Sequence, residues 1–234
     1  MDAPFSRGLA WYRYKGLEDE FLAATKYFPF EKAHKKVWSE FFSDLLTKIG
    51  NSIDSFFRNM LKDTTPSSCQ YPHVAGLIAS GRPRDIHFFR DMYEPIYLLS
   101  GAGVRIAYGL TFYDKNLRPF KEFKRNQVPP WWTAYNHVKH TWFEHIEEAT
   151  LANAVSALAG LFILNVLNTS SRSYLIRHQN VIRWDFMKSM PYSKIENAMK
   201  SSKMGIPKNW AAYNFIANTP VFEHTYRRDK TASA

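Results

Sequence analysis

Between Phe30 and Leu61 apolar side chains return every three or four positions, at Val37, Phe41, Leu45, Ile49, Ile53, Phe56 and Met60. Phe42, Leu46 and Phe57 widen this stripe, whereas Lys35, Lys36, Glu40, Asp44, Lys48 and Arg58 lie mostly off it. The repeat is helical, with an apolar face broad enough for a bundle core, and it predicts one long helix over residues 30–61. The run Asp63-Thr64-Thr65-Pro66-Ser67-Ser68 ends it.

A second helical block opens at Pro129-Pro130, since proline is tolerated in a first helical turn. Trp131 to Phe143 reads as one helix. Thr150 reads as the N-cap of another, Leu151 to Leu167, which is apolar on nearly every side. At about 17 residues and with Asn153, Ser156 and Asn165 inside it, that segment suits a central bundle helix better than a membrane span. Leu45, Ile49, Ile53 and Phe56 are expected to pack against Leu158, Leu161 and Phe162.

The stretch from Tyr71 to Gln127 is less regular. Arg84 to Tyr93 predicts a short helix closed before Pro95. Ile96 to Leu99 and Val104 to Tyr113 predict strands around a Ser100-Gly101-Ala102-Gly103 turn. That Gly-Ala-Gly lacks the helix and the Lys-Ser/Thr of a phosphate-binding loop. Beyond Ser170 a strand is predicted within residues 174–186 and a short helix over 193–203. The expected architecture is mainly α. A helical-bundle domain covers residues 1–168, with a small β-containing insertion at about 71–127, and a basic C-terminal extension over 169–234 packs on it.

Hydrophobic residues make up 45% of the 234-residue chain and aromatics 16%, enough to bury a core and to exclude disorder for most of it. The formal charge of +10 is uneven. Residues 1–168 carry 20 Lys/Arg against 17 Asp/Glu, whereas residues 169–234 carry 11 against 4. A basic block of that size suits an acidic partner, nucleic acid above all, or else a solubilising tail that binds nothing in particular. A single cysteine, Cys69, excludes a disulfide framework, and its surroundings carry no nucleophile signature. The charged start shows no signal-peptide pattern, so a cytoplasmic location is expected.

Histidine is the informative residue, because His137, His140 and His145 fall within nine positions. On one continuous helix Asn136, His140 and Glu144 would share a stripe, with His137 one turn before His140. A carboxylate one turn from an imidazole orients it for proton transfer, although the same side chains could simply cap a bundle end. For metal, His137-x-x-His140 with Glu144 and the Glu31-x-x-His34 pair lack the second Glu-x-x-His of a di-iron bundle, so neither metal nor cofactor is expected.

The segment Trp131-Trp132-Thr133-Ala134-Tyr135-Asn136-His137-Val138-Lys139-His140, followed by residues 149–162, resembles the last third of bacterial proteins related to the HEPN superfamily. The resemblance implies an α-helical bundle, usually dimeric, and in many members a metal-independent endoribonuclease of toxin–antitoxin, CRISPR or phage-defence systems. The family signature is an arginine, commonly followed by asparagine, with a histidine little more than one helical turn later. Tyr135-Asn136-x-x-x-His140 has that spacing, with Tyr135 in the arginine position. The implied site is therefore His140 for proton transfer, Asn136 to orient the phosphate or ring, and Tyr135 as a neutral hydrogen-bond donor. The missing cation would come from Lys139 or from tail residues such as Arg172, Arg177 and Arg183. RNA, a second copy of the chain and an antitoxin or defence protein are the expected partners, with no membrane. A homodimer is expected around Trp131, Trp132 and Trp142, which could equally fill the monomer core. The alternative function is a non-catalytic helical dimerisation module.

Overall fold

The computed structural model describes residues 8–27, 31–62, 72–106, 116–168, 171, 174–175, 182–184 and 215–226. The protein is mainly helical. Helix α1 spans Leu9–Ala24, α2 Glu40–Lys62, α3 Pro72–Ala79, α4 Ile86–Tyr97, α5 Pro130–His140, α6 Trp142–His145 and α7 Leu151–Leu167. Short 3₁₀ turns at Lys32–Lys36, Lys121–Arg125 and Ile146–Glu148 connect them. Among the described residues no helix is long and apolar enough to cross a membrane.

Helix α7 is the axis of the bundle. Fourteen of its residues are buried, from Leu151 to Leu167, and only a narrow half-buried strip with Ala152, Asn153 and Ser156 is left near its start. Helices α1, α2 and α5 all pack against it. Leu45, Ile49, Ile53 and Phe56 of α2 share one core with Leu158, Leu161 and Phe162, as their two stripes require. The one buried amide in this helix, Asn165, turns its Nδ2 back to Leu161 O at 2.9 Å. At the other end Thr150 Oγ1 accepts the Asn153 N–H at 3.2 Å, the cap expected from sequence.

Three predicted boundaries move. Helix α2 starts at Glu40 rather than near Phe30, because Ser39 Oγ accepts the Phe42 N–H at 3.2 Å and caps it. Val37 lies outside the helix, and its carbonyl receives the Leu151 N–H at 2.8 Å, tying this segment to the start of α7. Helix α4, capped by Asp85 on the Phe88 N–H at 2.9 Å, runs through Pro95 to Tyr97. Residues 96 and 97 are thus helical and not a strand, and Leu98 closes the helix in the left-handed region (φ 50°). The helix expected to reach Phe143 stops at His140. Thr141 leaves helical geometry, and both its N–H (2.8 Å) and its Oγ1 (3.1 Å) donate to His137 O. The break lets Trp142 Nε1 donate to Ser43 Oγ of α2 at 2.8 Å.

The β structure is assembled from distant parts of the chain. Strands β1 (Arg105–Ile106), β2 (Ile182–Trp184), β3 (Phe215–Asn218) and β4 (Phe222–Tyr226) form an antiparallel sheet in the order β1-β4-β3-β2. Ile106 stands opposite Phe222, so the insertion and the C-terminal region share one sheet. His224 is buried and its Nδ1 donates to Gly103 O at 2.6 Å, while burial pushes its pKa down against the opposing effect of that hydrogen bond. Helix α1, which periodicity did not single out, grips the β3–β4 turn. The buried Glu18 carboxylate accepts from Tyr14 Oη at 2.7 Å, from Lys15, and from the Val221 N–H at 3.3 Å. The predicted helix over residues 193–203 lies outside the described residues.

Helices α2 and α5 approach so closely that only glycine fits at position 50. A Cβ there would lie 2.2 Å from Cδ2 of the Tyr135 ring. Gly50→Ala is therefore expected to cost about 1–3 kcal/mol by overpacking, although alanine is the better helix former by about 1 kcal/mol. Gly16→Ala is the control, since a Cβ at that exposed position of α1 meets nothing within 4 Å, and it should stabilise slightly. Urea unfolding of the two variants checks this pair.

Candidate functional site

The last turn of α5, the break at Thr141, α6 and the following 3₁₀ turn fold the histidine-rich segment back on itself. His137 on α5 and His145 at the end of α6 converge on Glu148, the last residue before the turn into α7. Nδ1 of His137 lies 2.9 Å from Glu148 Oε1 and 3.0 Å from Oε2, and Nδ1 of His145 lies 2.8 Å from Oε1. The two rings are 4.5 Å apart between centroids. Partial burial pushes the Glu148 pKa up, but the hydrogen bonds and charge of the two imidazoles outweigh it and hold the carboxyl below its ordinary range. Its carbonyl is held too, accepting from Asn153 Nδ2 and from the Thr150 N–H, each at 2.8 Å.

The break at Thr141 changes the arrangement expected around His140. Glu144 no longer lies one turn below that ring; its Oε2 is 4.0 Å from His145 Nε2 instead. His140 is exposed and Asn136, one turn earlier, is half-buried. Tyr135 is buried, turned toward α2, where its hydroxyl donates to Asn51 Oδ1 at 2.8 Å. The same hydroxyl accepts from Lys139 Nζ at 2.9 Å, and the ammonium lies 5.2 Å from the ring centroid. Tyr135 thus acts within the bundle as a strut between two helices and as the anchor of Lys139. Arg172 and Arg177 lie outside the described residues, and Arg183 is described only as backbone, opposite Ile216 in the sheet.

Trp131 and Trp132 are buried in the bundle, and Trp142 is bonded to Ser43. The aromatics that face solvent near the histidines are Phe143, 92% exposed, and Trp38, 51% exposed and bridged to Thr150. A cleft of about 500 Å³ runs between the start of α5 and the first turns of α7, and its walls include Lys35, Arg118, Lys121, Glu122 and Asn153. Asn153 is common to the cleft and to the support of Glu148, so the two features share a wall.

Glu148 is the participant that the sequence pattern did not mark. It lies eleven residues after His137, a separation that brings two side chains together only once the helix is broken. Among the described residues, His137, His145 and Glu148 form a group whose donor atoms all lie within 4.8 Å of one another.

The strut role of Tyr135 has a direct consequence. Tyr135→Phe is expected to destabilise the fold by about 1 kcal/mol, by removing a part-buried hydroxyl that satisfies Asn51 and Lys139. Lys139→Ala, which removes an exposed side chain, should cost less. Chemical denaturation of both variants measures the difference. Compared with known proteins, the chain matches no family model, no curated protein and no solved structure.

Proposed function

We propose that this protein is an HEPN-like, RNA-directed bundle protein that cleaves RNA without metal, with Lys139 supplying the positive charge that the signature arginine would have carried. The observation that carries this reading is the 2.9 Å contact from Lys139 Nζ to the Tyr135 hydroxyl, on the same helical turn as exposed His140. An ammonium already held by one hydrogen bond is pre-organised for a phosphate, and a charge-assisted bond is roughly twice as strong as a neutral one.

The chemistry follows from these groups. The RNA 2′-oxygen attacks the adjacent phosphorus while His140 accepts its proton. A new P–O2′ bond forms, the P–O5′ bond breaks, and the histidine returns the proton to the leaving 5′-oxygen. Lys139 offsets the charge that gathers on the phosphoryl oxygens, and Asn136 donates a hydrogen bond to one of them. Lys35, Arg118 and Lys121 in the neighbouring cleft would hold the flanking backbone, and Trp38 and Phe143 offer faces on which bases stack. The resemblance further implies a defence or stress setting.

One observation favours a second reading. Phe143, 92% exposed, offers a large aromatic ring to a partner, which suits a non-catalytic module that pairs with another copy or with an antitoxin-type protein.

The test is cleavage of a mixed RNA pool, in EDTA, by wild type, His140→Ala and Lys139→Ala purified identically. Cleavage by wild type, none by His140→Ala, and a loss of about 10²-fold or more with Lys139→Ala is the expected pattern. Raising the salt should weaken it by screening phosphate contacts. Equal cleavage by all three would mark contamination and remove the assignment. No cleavage by any would favour the pairing module, which light scattering of wild type against Phe143→Asp then addresses.

A further inference from the structure

We propose that His137, His145 and Glu148 form a site for one divalent transition-metal ion, with Zn²⁺ the best match, and that the ion clips the end of α5 to the turn that precedes α7. The site uses none of Tyr135, Asn136, Lys139 or His140, although His137 shares the last turn of α5 with Lys139 and His140.

The donor set argues for this class of ion. Two imidazoles and one carboxylate suit borderline-soft metals such as Zn²⁺, whereas Mg²⁺ and Ca²⁺ take oxygen ligands almost alone. Geometry argues for it independently. Both Nδ1 atoms aim at the same carboxylate oxygen, at 2.9 and 2.8 Å, so their nitrogen lone pairs would converge on one small volume. Around a tetrahedral ion with bonds of about 2.0–2.1 Å the donor atoms stand roughly 3.4 Å apart. The two Nδ1–carboxylate separations therefore need to open by only about half an ångström, and all three donors already lie within 4.8 Å of one another.

The surroundings fit as well. A ligating Nδ1 places the remaining ring proton on Nε2, where an outer carboxylate commonly fixes the tautomer. Glu144 lies on that side of His145, its Oε2 4.0 Å from Nε2, an ion-pair rather than a hydrogen-bond distance. The Glu148 backbone is held by Asn153 and by the Thr150 N–H, so the carboxylate is carried on a fixed base. The side chains remain 43%, 33% and 33% exposed for His137, His145 and Glu148, which leaves a path for the ion and a fourth position for water.

The three ligands bracket the helix break at Thr141. Binding should therefore show first as stability of this corner, by mass action on the folded state. The reading does not rest on RNA chemistry, and its test uses none.

The experiment is titration of Zn²⁺ into chelator-stripped full-length protein, read by calorimetry, with Co²⁺ absorption as a report of tetrahedral coordination. Expected are one equivalent bound, visible Co²⁺ bands, and a higher melting temperature with Zn²⁺ than without. Mg²⁺ at the same concentration should produce none of these. His145→Asn and Glu148→Gln should each weaken binding by about 10²-fold and abolish the thermal shift, while His87→Ala, on α4, should bind as wild type. Circular dichroism confirms that each variant is folded before it is compared. Should His145→Asn misfold, Glu148→Gln decides alone. Less than half an equivalent bound by wild type, or binding undiminished in the folded ligand variants, would overturn the proposal.

Discussion

A helix apolar on nearly every side must be covered almost all round, and the cover of α7 organises the rest of this protein. Burial of apolar surface is the dominant favourable term in folding, and a segment this apolar cannot be left half in water. α1, α2 and α5 each lay an apolar stripe along it, and β4 adds part of the remaining cover. Phe162 shows the result in one residue: its ring meets Tyr14 of α1 at 5.5 Å and Phe222 of β4 at 5.8 Å. On the opposite flank Gly160 lets the Phe120 ring approach to 3.2 Å of where a Cβ would stand, with Trp131 close behind. Elements far apart in the chain meet because α7 leaves each of them a strip to bury.

The same helix fixes the candidate site through its first turn. Thr150 caps α7 and pairs with Trp38, Leu151 bonds Val37, and Asn153 holds the Glu148 carbonyl. On the other side, α5 is set against α2 by Tyr135 lying over Gly50. His137 and Glu148 thus sit on two supports that cannot slide independently, which is what a precise polar cluster needs. The residues with freedom to meet a ligand are those on the outer turn, Lys139, His140 and Phe143.

How far the sequence could be read follows from how local each signal is. The limits of α7 and its threonine cap were legible because periodicity and capping are written into adjacent residues. The α2 stripe was legible for the same reason, though its start was not, since Val37 and Trp38 continue an apolar pattern while their backbone bonds go to α7. α1 was obscured by the charges set among its aromatics, one of which, Glu18, is a buried carboxylate that makes sense only beside Val221. The break at Thr141 was hidden because the residues around it tolerate a helix, and a hydroxyl turned onto His137 O ends it. With the break unseen, His140 and Glu144 looked like partners and Glu148 was overlooked. The sheet was least legible, because two residues of β1 pair with a strand more than one hundred positions away.

Native-state hydrogen exchange tests the central constraint most directly. If α7 is the common element that α1, α2 and α5 cover, its amides should be the slowest in the protein and should exchange only in global unfolding, together with those of α2 that face it. Peripheral α3, of whose side chains only Val74 is buried, should exchange far sooner. Exchange of α7 amides at rates like those of α3, or well ahead of α2, would contradict the account.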